Sequence, residues 1–313
     1  MDVAVSLVNA GNRTPDTIPA MATPAQWIAG ARPRTLPAAV APVLAGTAVA
    51  LWEGQAVWWK ATLALAVSLL LQVGVNYAND YSDGVRGTDD DRVGPLRLVG
   101  SGVASARAVR TAALVVLGAA ALVGLVLAAT TAWWLVGVGV LCLLAAWFYT
   151  GGSRPYGYMG LGEVMVFVFF GLVAVLGTTY VQTESFELTA LYAAIGVGCL
   201  TCAILVANNL RDIPTDTVSG KRTLAVALGD ERTRYLYGML LAAAAVALVG
   251  IVLATTWWAL LAAVGVPPAL RAARRVLREK ATGPDLVPVL QQTGVAELLY
   301  AVGILAGLVI GLR

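Results

Sequence analysis

Long apolar stretches separated by short polar segments run through most of the chain. Nine of them are near the 20 residues that an α-helix needs to cross a bilayer, and none shows the strict apolar–polar alternation typical of a half-buried strand. This pattern predicts an all-α, polytopic membrane protein of nine transmembrane helices. The predicted helices cover residues 36–52, 60–81, 108–129, 132–150, 160–181, 188–209, 235–254, 257–273 and 293–311.

The basic residues fall almost entirely on one side of this predicted topology. Of the 21 lysines and arginines, all but Lys60 and Arg313 lie in the N-terminal segment or in loops on the same side. The positive-inside rule makes that side cytoplasmic. The sequence therefore predicts a multi-pass protein of a bacterial cell membrane, with its N-terminus inside and its C-terminus outside. Residues 1–26 are predicted to be a disordered cytoplasmic tail and residues 27–313 a single domain.

The amino-acid composition excludes several classes of protein and several kinds of site. Hydrophobic residues make up 59% of the chain and charged residues 12%, whereas soluble proteins carry about 25% charged residues. Histidine is absent from the sequence, which excludes histidine-based triads, haem ligation by histidine and His-ligated zinc. Cys199 and Cys202 lie within an apolar stretch and are interpreted as buried apolar side chains. We expect no nucleic-acid partner.

Polar side chains cluster where the second predicted helix reaches the cytoplasmic side. Asn79 and Asp83 are four residues apart, and Asp80 precedes Asp83 by three, so these side chains share a helix face. Carboxylates gathered at a membrane boundary repel one another and resist desolvation. Magnesium prefers oxygen ligands and often bridges to substrate phosphates. The sequence thus predicts a magnesium site formed by Asn79, Asp80 and Asp83.

The sixth predicted helix ends in the same way. Asn208, Asp212 and Asp216 follow one another at four-residue intervals, and the matching spacing predicts an internal repeat in which the second and sixth helices are equivalent. Cations near these ends could stabilise a departing diphosphate. The candidates are Arg154, Lys221 and Arg222, although topogenic charge explains them equally well.

Three stretches resemble the UbiA superfamily of intramembrane prenyltransferases. They are NDYSDGVRGTDDDRVGPLRLVGSG (79–102), YTGGSRPYGYMGLGE (149–163) and NNLRDIPTDTVSGKRTLAVALG (208–229), and RPRTLP (32–37) also fits. Within the superfamily the chain looks most like the bacterial 1,4-dihydroxy-2-naphthoate polyprenyltransferases. The resemblance implies nine helices around a central cavity, open to the cytoplasm and sideways to lipid, with Mg²⁺ and a prenyl diphosphate held by the two acidic motifs. Gly87 stands where many members have a third aspartate, and Asp89 or Asp90 is expected to replace it.

The implied reaction transfers a polyprenyl group from polyprenyl diphosphate to 1,4-dihydroxy-2-naphthoate, with loss of carbon dioxide, to give demethylmenaquinone. Asp83, Asp212, Lys221 and Tyr149 are the expected catalytic residues, and Tyr149 is also interpreted as a possible interfacial anchor. Two alternatives stay open: a different acceptor, such as 4-hydroxybenzoate, a homogentisate-like ring or a sugar phosphate, and an ion-coupled transporter with acidic residues near helix midpoints. Gly171 and Gly177 are expected either to line a groove for the prenyl tail or to serve helix packing.

Overall fold

The computed structural model describes residues 22–87 and 96–313, and these residues form helices, turns and loops without a strand. Five of the eleven α-helices are longer than 20 residues, and two short ones, α6 and α7, belong to one continuous helical segment of 22 residues. The helices are α1 (Pro24–Gly30), α2 (Pro37–Trp52), α3 (Trp58–Arg86), α4 (Ala106–Thr130), α5 (Leu135–Phe148), α6 (Gly162–Val166), α7 (Ala174–Thr183), α8 (Leu188–Val218), α9 (Leu224–Ala254), α10 (Val266–Leu277) and α11 (Val287–Gly311). A π-helical segment (Phe167–Val173) joins α6 to α7, and 3-10 helices cover Pro33–Thr35, Tyr156–Tyr158, Trp257–Gly265 and Gly283–Leu286.

Each of the nine predicted transmembrane segments coincides with helix in the structure. Across the described ranges, six helical segments are long and apolar enough to span a membrane by themselves. A seventh span is obtained if α2 is combined with the preceding helical segment Pro24–Thr35, from which it is bent by 51°. Helix α5 is apolar but shorter. The chain is therefore an all-helical, multi-pass membrane protein.

The predicted disordered tail extends too far along the chain. Helix α1 begins at Pro24, and its capping box is complete because the Thr23 hydroxyl accepts from the Gln26 amide while the Gln26 side chain accepts from the Thr23 amide. The Tyr77 hydroxyl of α3 donates to the Trp27 carbonyl oxygen at 2.9 Å, which fixes α1 against the bundle. The prediction for residues 1–26 is thus wrong from Pro24 onward, and residues 1–21 lie outside the described ranges.

Helix α8 forms the centre of the packed part of the bundle. It contacts α9, α11, α2 and the π-helical segment, and alanine is the most frequent residue on its buried face. Gly171 and Gly198 let the π-helical segment approach α8 closely, because a Cβ atom on Gly171 would lie 2.8 Å from the Gly198 Cα atom. The abundance of alanine and glycine in the sequence follows from this close helix packing.

Helices α3 and α8 both line a central cavity of about 1270 Å³. They do not pack extensively against each other along the described residues. Toward the ends of these helices at Asp83 and Asp212 the cavity wall is polar. Toward Ala64 on α3 and Val181 on α7 the wall is apolar. The fold therefore places the two acidic helix ends at the polar end of one elongated, largely apolar cavity.

Candidate active site

The end of α3 presents Asn79 and Asp83 to the cavity, and both are buried. Asp80 is not among the cavity-lining residues. Its two carboxylate oxygens accept hydrogen bonds from the backbone amides of Leu98 (2.8 Å) and Val99 (3.0 Å). Asp80 therefore holds the segment that begins at residue 96 against α3. We accordingly remove Asp80 from the predicted metal ligands.

The backbone conformation of Gly87 explains why the first acidic motif has a glycine where many members of the superfamily have a third aspartate. Its φ of 69° and ψ of 18° place it in the left-handed region at the C-cap of α3, a conformation that favours glycine. The helix therefore ends just where a third aspartate would have followed on the same face. Asp89 and Asp90, the predicted replacements, lie outside the described residues.

The end of α8 presents three of the predicted side chains to the same cavity. Asn208, Asp212 and Asp216 all line it, because α8 stays helical through Pro214 as far as Val218. Arg211 holds this group together: its Nε atom donates to Asp212 Oδ1 at 2.7 Å and its Nη2 atom donates to Asn208 Oδ1 at 2.9 Å. The carboxylate of Asp212 is thus charge-paired within its own helix end.

Tyr158 links the two helix ends. Its hydroxyl donates a short hydrogen bond to Asp83 Oδ1, while the Lys221 Nζ atom lies 4.6 Å from the centre of its ring. The backbone amide of Arg222 donates to the Tyr158 carbonyl oxygen at 3.0 Å. The segment that follows α8 and the end of α3 therefore meet on one tyrosine of the loop between α5 and α6.

That loop, residues 149–161, is itself anchored to α3. The Thr150 hydroxyl donates to Asn79 Oδ1 at 2.7 Å, and the Arg86 guanidinium donates to the carbonyl oxygens of Thr150 and Gly152. The Tyr156 hydroxyl donates to the Ala145 carbonyl oxygen at 2.7 Å, and burial raises the pKa of Tyr156. Tyr156 therefore remains protonated at neutral pH and keeps the loop folded over the cavity.

The predicted cationic residues divide into two groups. Lys221 lines the cavity, whereas Arg154 and Arg222 are exposed and are not among its lining residues. Four arginines that were not predicted to bind diphosphate also line the cavity: Arg32, Arg34, Arg97 and Arg211. Arg97 lies 3.5 Å from the carboxylate of Asp83. Arg97 and Arg211 could have been predicted from the sequence, because each lies close to one of the two acidic motifs along the chain.

Tyr149, the predicted catalytic aromatic residue, also lines the cavity. Its ring packs edge-on against Tyr156 with 5.5 Å between the ring centres. Its backbone oxygen accepts from the Gly157 amide at 3.0 Å. The structure therefore places Tyr149 in the cavity wall, beside the loop that carries Tyr158.

The oxygen donors of the two helix ends suit a hard divalent cation. Asp83, Asp212 and Asp216 supply carboxylates, and Asn79 and Asn208 supply amide oxygens, the ligand types that Mg²⁺ takes. Within residues 22–87 and 96–313, no three acidic or cysteine side chains stand close enough to hold a metal ion by themselves. The donor set fits Mg²⁺ in the manner usual for this ion, in which substrate phosphates complete the ligand shell.

Two further buried carboxylates, Glu163 in the first turn of α6 and Glu297 on α11, were not singled out from the sequence. Glu163 accepts from Asn209 Nδ2 at 2.9 Å, and Glu297, near the middle of α11, lies 2.6 Å from the Thr201 hydroxyl oxygen. Neither glutamate is among the residues that line the cavity. An ion path through the cavity would need such groups in its wall, so they lend no support to a transporter.

An apolar cavity with a polar, doubly acidic end defines a membrane enzyme for an amphiphilic, anionic substrate. The chain matches the UbiA prenyltransferase family over residues 39–286, and it belongs to that family. It is 58% identical to the 1,4-dihydroxy-2-naphthoate octaprenyltransferase of Mycobacterium tuberculosis over 93% of this chain and 99% of that protein. It is 38% identical to the enzyme of the same name from Escherichia coli over 89% of this chain and 94% of that protein.

The fold has a counterpart among solved structures. A UbiA homologue from Archaeoglobus fulgidus, bound to DMAPP and Mg²⁺, superimposes with a TM-score of 0.63 at 14% sequence identity, covering 91% of this chain and 99% of that one. This likeness concerns the helix arrangement. Together with the family match, it establishes the chain as a membrane-embedded prenyltransferase.

Proposed function

We propose that the protein transfers a polyprenyl group from polyprenyl diphosphate to 1,4-dihydroxy-2-naphthoate, with release of carbon dioxide, to give demethylmenaquinone in its reduced form, the hydroquinone demethylmenaquinol. The observation that carries this proposal is the junction at Tyr158, where the end of α3 and the segment after α8 meet at the polar end of an apolar cavity. The names of the Mycobacterium tuberculosis and Escherichia coli relatives support both the polyprenyl donor and the naphthoate acceptor.

The residues around this junction receive the following roles. Asn79, Asp83, Asn208, Asp212 and Asp216 would hold Mg²⁺, which when bound neutralises the diphosphate and makes it a better leaving group. Lys221 binds the diphosphate, and Arg97 and Arg211 are close enough to the acidic side chains to bind it as well. Arg154 and Arg222 are left out, because both side chains are exposed outside the cavity.

The reaction is an electrophilic substitution. The allylic C–O bond breaks and its electron pair leaves with the diphosphate, whose charge Lys221 and the arginines balance. The ring carbon that carries the carboxylate attacks the allylic carbon, and the C–CO₂ bond electrons return to the ring as carbon dioxide departs. The ring face of Tyr149 stabilises the cationic carbon. The apolar wall keeps water away from it.

The topology proposed with this function has nine membrane spans. The N-terminus and the active site face the cytoplasm, and the C-terminus faces the outside. The polyprenyl tail explains why the enzyme is embedded in the membrane, because each CH₂ group favours the bilayer by about 0.8 kcal/mol. The tail therefore stays in the apolar part of the cavity while the diphosphate remains at its polar end.

A prenyl-transfer assay in nanodiscs tests the function. We expect product from octaprenyl diphosphate and 1,4-dihydroxy-2-naphthoate, one carbon dioxide released per transfer, and a requirement for Mg²⁺. Asp83→Asn and Asp212→Asn should each lower the rate by a factor of roughly 100 to 1000, since each removes charge from the site that holds the leaving group. Transfer to 4-hydroxybenzoate without transfer to naphthoate would refute the proposed acceptor.

Asp80→Asn is the matched control. Asparagine at this position can still accept one of the two amide hydrogen bonds, so we expect the free energy of unfolding to fall by about 1 to 3 kcal/mol. The dependence of the rate on Mg²⁺ concentration should stay unchanged. A shift in that dependence as large as that of Asp83→Asn would return Asp80 to the ligand set.

A further inference from the structure

Glu163 is a buried acidic residue that takes no part in the proposed mechanism. Its Oε1 atom accepts from Asn209 Nδ2 at 2.9 Å, and its backbone oxygen accepts from the Cys202 Sγ atom at 3.1 Å. Its Oε2 atom is enclosed and has no hydrogen-bond partner among the described residues. A buried carboxyl group with so few partners is costly, so close packing alone does not account for an acidic residue at this position.

The contact with Glu163 determines which atom of Asn209 faces the cavity. Asn209 is 8% exposed and lines the cavity. A carboxylate only accepts hydrogen bonds, whereas an asparagine side chain has a donor end and an acceptor end. Glu163 therefore selects the orientation in which Nδ2 points toward α6 and Oδ1 points away from it. Oδ1 has no partner within the described ranges and is not enclosed, so it is an acceptor open to the cavity.

Asn209 stands between the acidic end of the cavity and its apolar part. It precedes Asp212 by three residues and follows Leu205 by four, so these side chains share a face of α8, and all three line the cavity. A Cβ atom built on Gly162 would lie 3.4 Å from Leu205 Cδ2 and 3.6 Å from the Tyr149 hydroxyl oxygen. Leu205 and Tyr149 therefore form an apolar corner of the cavity beside one open amide oxygen.

This corner suits the acceptor of the proposed reaction. Pockets for small molecules are mostly apolar, and a few polar groups fix the orientation of the ligand. In 1,4-dihydroxy-2-naphthoate the hydroxyl on C1 is next to the carboxylate and donates to it within the molecule, so the hydroxyl on C4 is free to donate to the protein. Only one ring atom separates C4 from the reacting C2. A ring held at its C4 hydroxyl therefore keeps C2 close to the diphosphate end of the cavity.

We propose that this corner binds the naphthoate ring, that Asn209 Oδ1 accepts a hydrogen bond from the hydroxyl on C4, and that Glu163 is a positioning residue that fixes the Asn209 amide for this contact. An acceptor without a donor at C4 leaves Oδ1 unpaired and is rejected for that reason. Without Glu163 the amide can turn over, and part of this selectivity is lost. This inference rests on the proposed transfer to naphthoate.

Two acceptors distinguish this contact from general damage to the site. An oxygen-free assay in nanodiscs measures KM for 1,4-dihydroxy-2-naphthoate and the inhibition constant of 1-hydroxy-2-naphthoate, which has hydrogen at C4. In Asn209→Leu we expect KM to rise at least tenfold and the inhibition constant to stay within threefold. KM for octaprenyl diphosphate and the dependence on Mg²⁺ should stay within twofold. A change in Mg²⁺ dependence as large as that of Asp212→Asn, or equal rises in both acceptor constants, would overturn the proposal.

The role of Glu163 is tested through Asn209. Glu163→Met offers no acceptor to Nδ2, so we expect KM for the dihydroxy acceptor to rise about three- to tenfold, with the inhibition constant unchanged. Glu163→Gln keeps an acceptor and should restore KM to within twofold of the parent. In an Asn209→Leu background, Glu163→Met should have no further effect on KM, whereas a purely structural role would add to it. A glutamine variant as impaired as the methionine variant would contradict the positioning role.

The matched control is Thr201→Val. Thr201 also lies on α8, lines the cavity and contacts a buried glutamate, Glu297, but it is eight residues from Asn209. Both acceptor constants should stay within twofold in this variant, and a selective rise in KM would overturn the assignment to Asn209.

The parent enzyme gives a test that does not depend on the folding of any variant. The inhibition constant of 1-hydroxy-2-naphthoate should be at least ten times KM for the dihydroxy acceptor, and equal constants would overturn the proposal. A parent that forms no product from naphthoate contradicts the proposed function. A parent that forms product without discriminating between the two acceptors contradicts only this inference.

Discussion

Glu297 is a carboxyl group with no exposed surface in the interior of a membrane protein. The hydroxyl of Thr201 lies 3.0 Å from the Val197 carbonyl oxygen and 2.6 Å from Glu297 Oε1. A hydroxyl has one hydrogen and cannot donate to both. The contacts are satisfied if Glu297 is protonated and donates to Thr201, which then donates to Val197. A neutral Glu297 also avoids the cost of a buried, unpaired charge.

Substitutions of Glu297 test this arrangement. Glu297→Gln keeps a donor and an acceptor of similar size, so we expect the free energy of unfolding to change by less than about 1 kcal/mol. Glu297→Ala leaves a void and removes one partner of the Thr201 hydroxyl, which keeps its hydrogen bond to the Val197 carbonyl oxygen, and should destabilise the protein by about 2 to 4 kcal/mol. Unfolding by SDS in mixed micelles measures both, and a glutamine variant as unstable as the alanine variant would indicate an ionised Glu297.

Single residues also show how far the sequence could predict the site. Asn79, Asp83, Asn208, Asp212 and Asp216 were found from helical spacing, and the structure brings all five to one cavity. Asp80 could not be separated from Asp83 in this way, because residues three apart share a helix face. The amide groups of Leu98 and Val99 that bind Asp80 come from a distant part of the chain, and spacing carries no information about them.

At the scale of helices, hydropathy located the spans but underestimated their lengths at the end of the bundle that carries the acidic motifs. The predicted ends at residues 81 and 209 compare with Arg86 for α3 and Val218 for α8, and α9 begins at Leu224 rather than at residue 235. Apolar stretches mark the hydrocarbon layer, whereas helices continue beyond it with polar residues. These polar extensions hold much of the candidate site, so the site projects beyond the predicted spans.

Glycines with positive φ shape two of these extensions. Gly87 terminates α3 in the left-handed region, and Gly229 bends α9 with a φ of 77° and a ψ of 171°, a combination that is essentially restricted to glycine. We expect Gly229→Ala to destabilise the protein by about 1 to 3 kcal/mol and Gly87→Ala by about 1 kcal/mol. SDS unfolding of both variants measures the difference. A Gly87 variant less stable than the Gly229 variant would contradict this ranking.

For the whole molecule, the distribution of tryptophan and of charge supports the proposed orientation in the membrane. Tryptophans cluster near the ends of the helices opposite the acidic motifs, and Trp58, Trp133 and Trp257 are each more than half exposed. Exposed tryptophans at helix ends are typical of a membrane interface. The candidate site lies at the other end, where the basic residues are concentrated. The proposed orientation therefore places the polar end of the cavity in contact with the cytoplasm.

Cysteine labelling tests the orientation. Gln55 lies in the exposed turn between α2 and α3, and Ser219 is exposed just after α8. In a background without the native cysteines, we expect Gln55→Cys to react with a membrane-impermeant maleimide in intact cells. Ser219→Cys should react only in inside-out vesicles. The reverse labelling pattern would place the active site on the outer face.

The pairing of the acidic residues with arginines has a consequence for how substrates bind. Asp212 is held by Arg211, and Asp83 lies beside Arg97, so the resting enzyme already balances its own charges. A cation that takes over the carboxylates releases guanidinium groups, and these then need a new anion. We therefore expect cation and diphosphate to raise each other's affinity, by the same factor in both directions, as thermodynamic linkage requires. Either one alone should bind weakly, and the enzyme becomes fully assembled only when both have arrived.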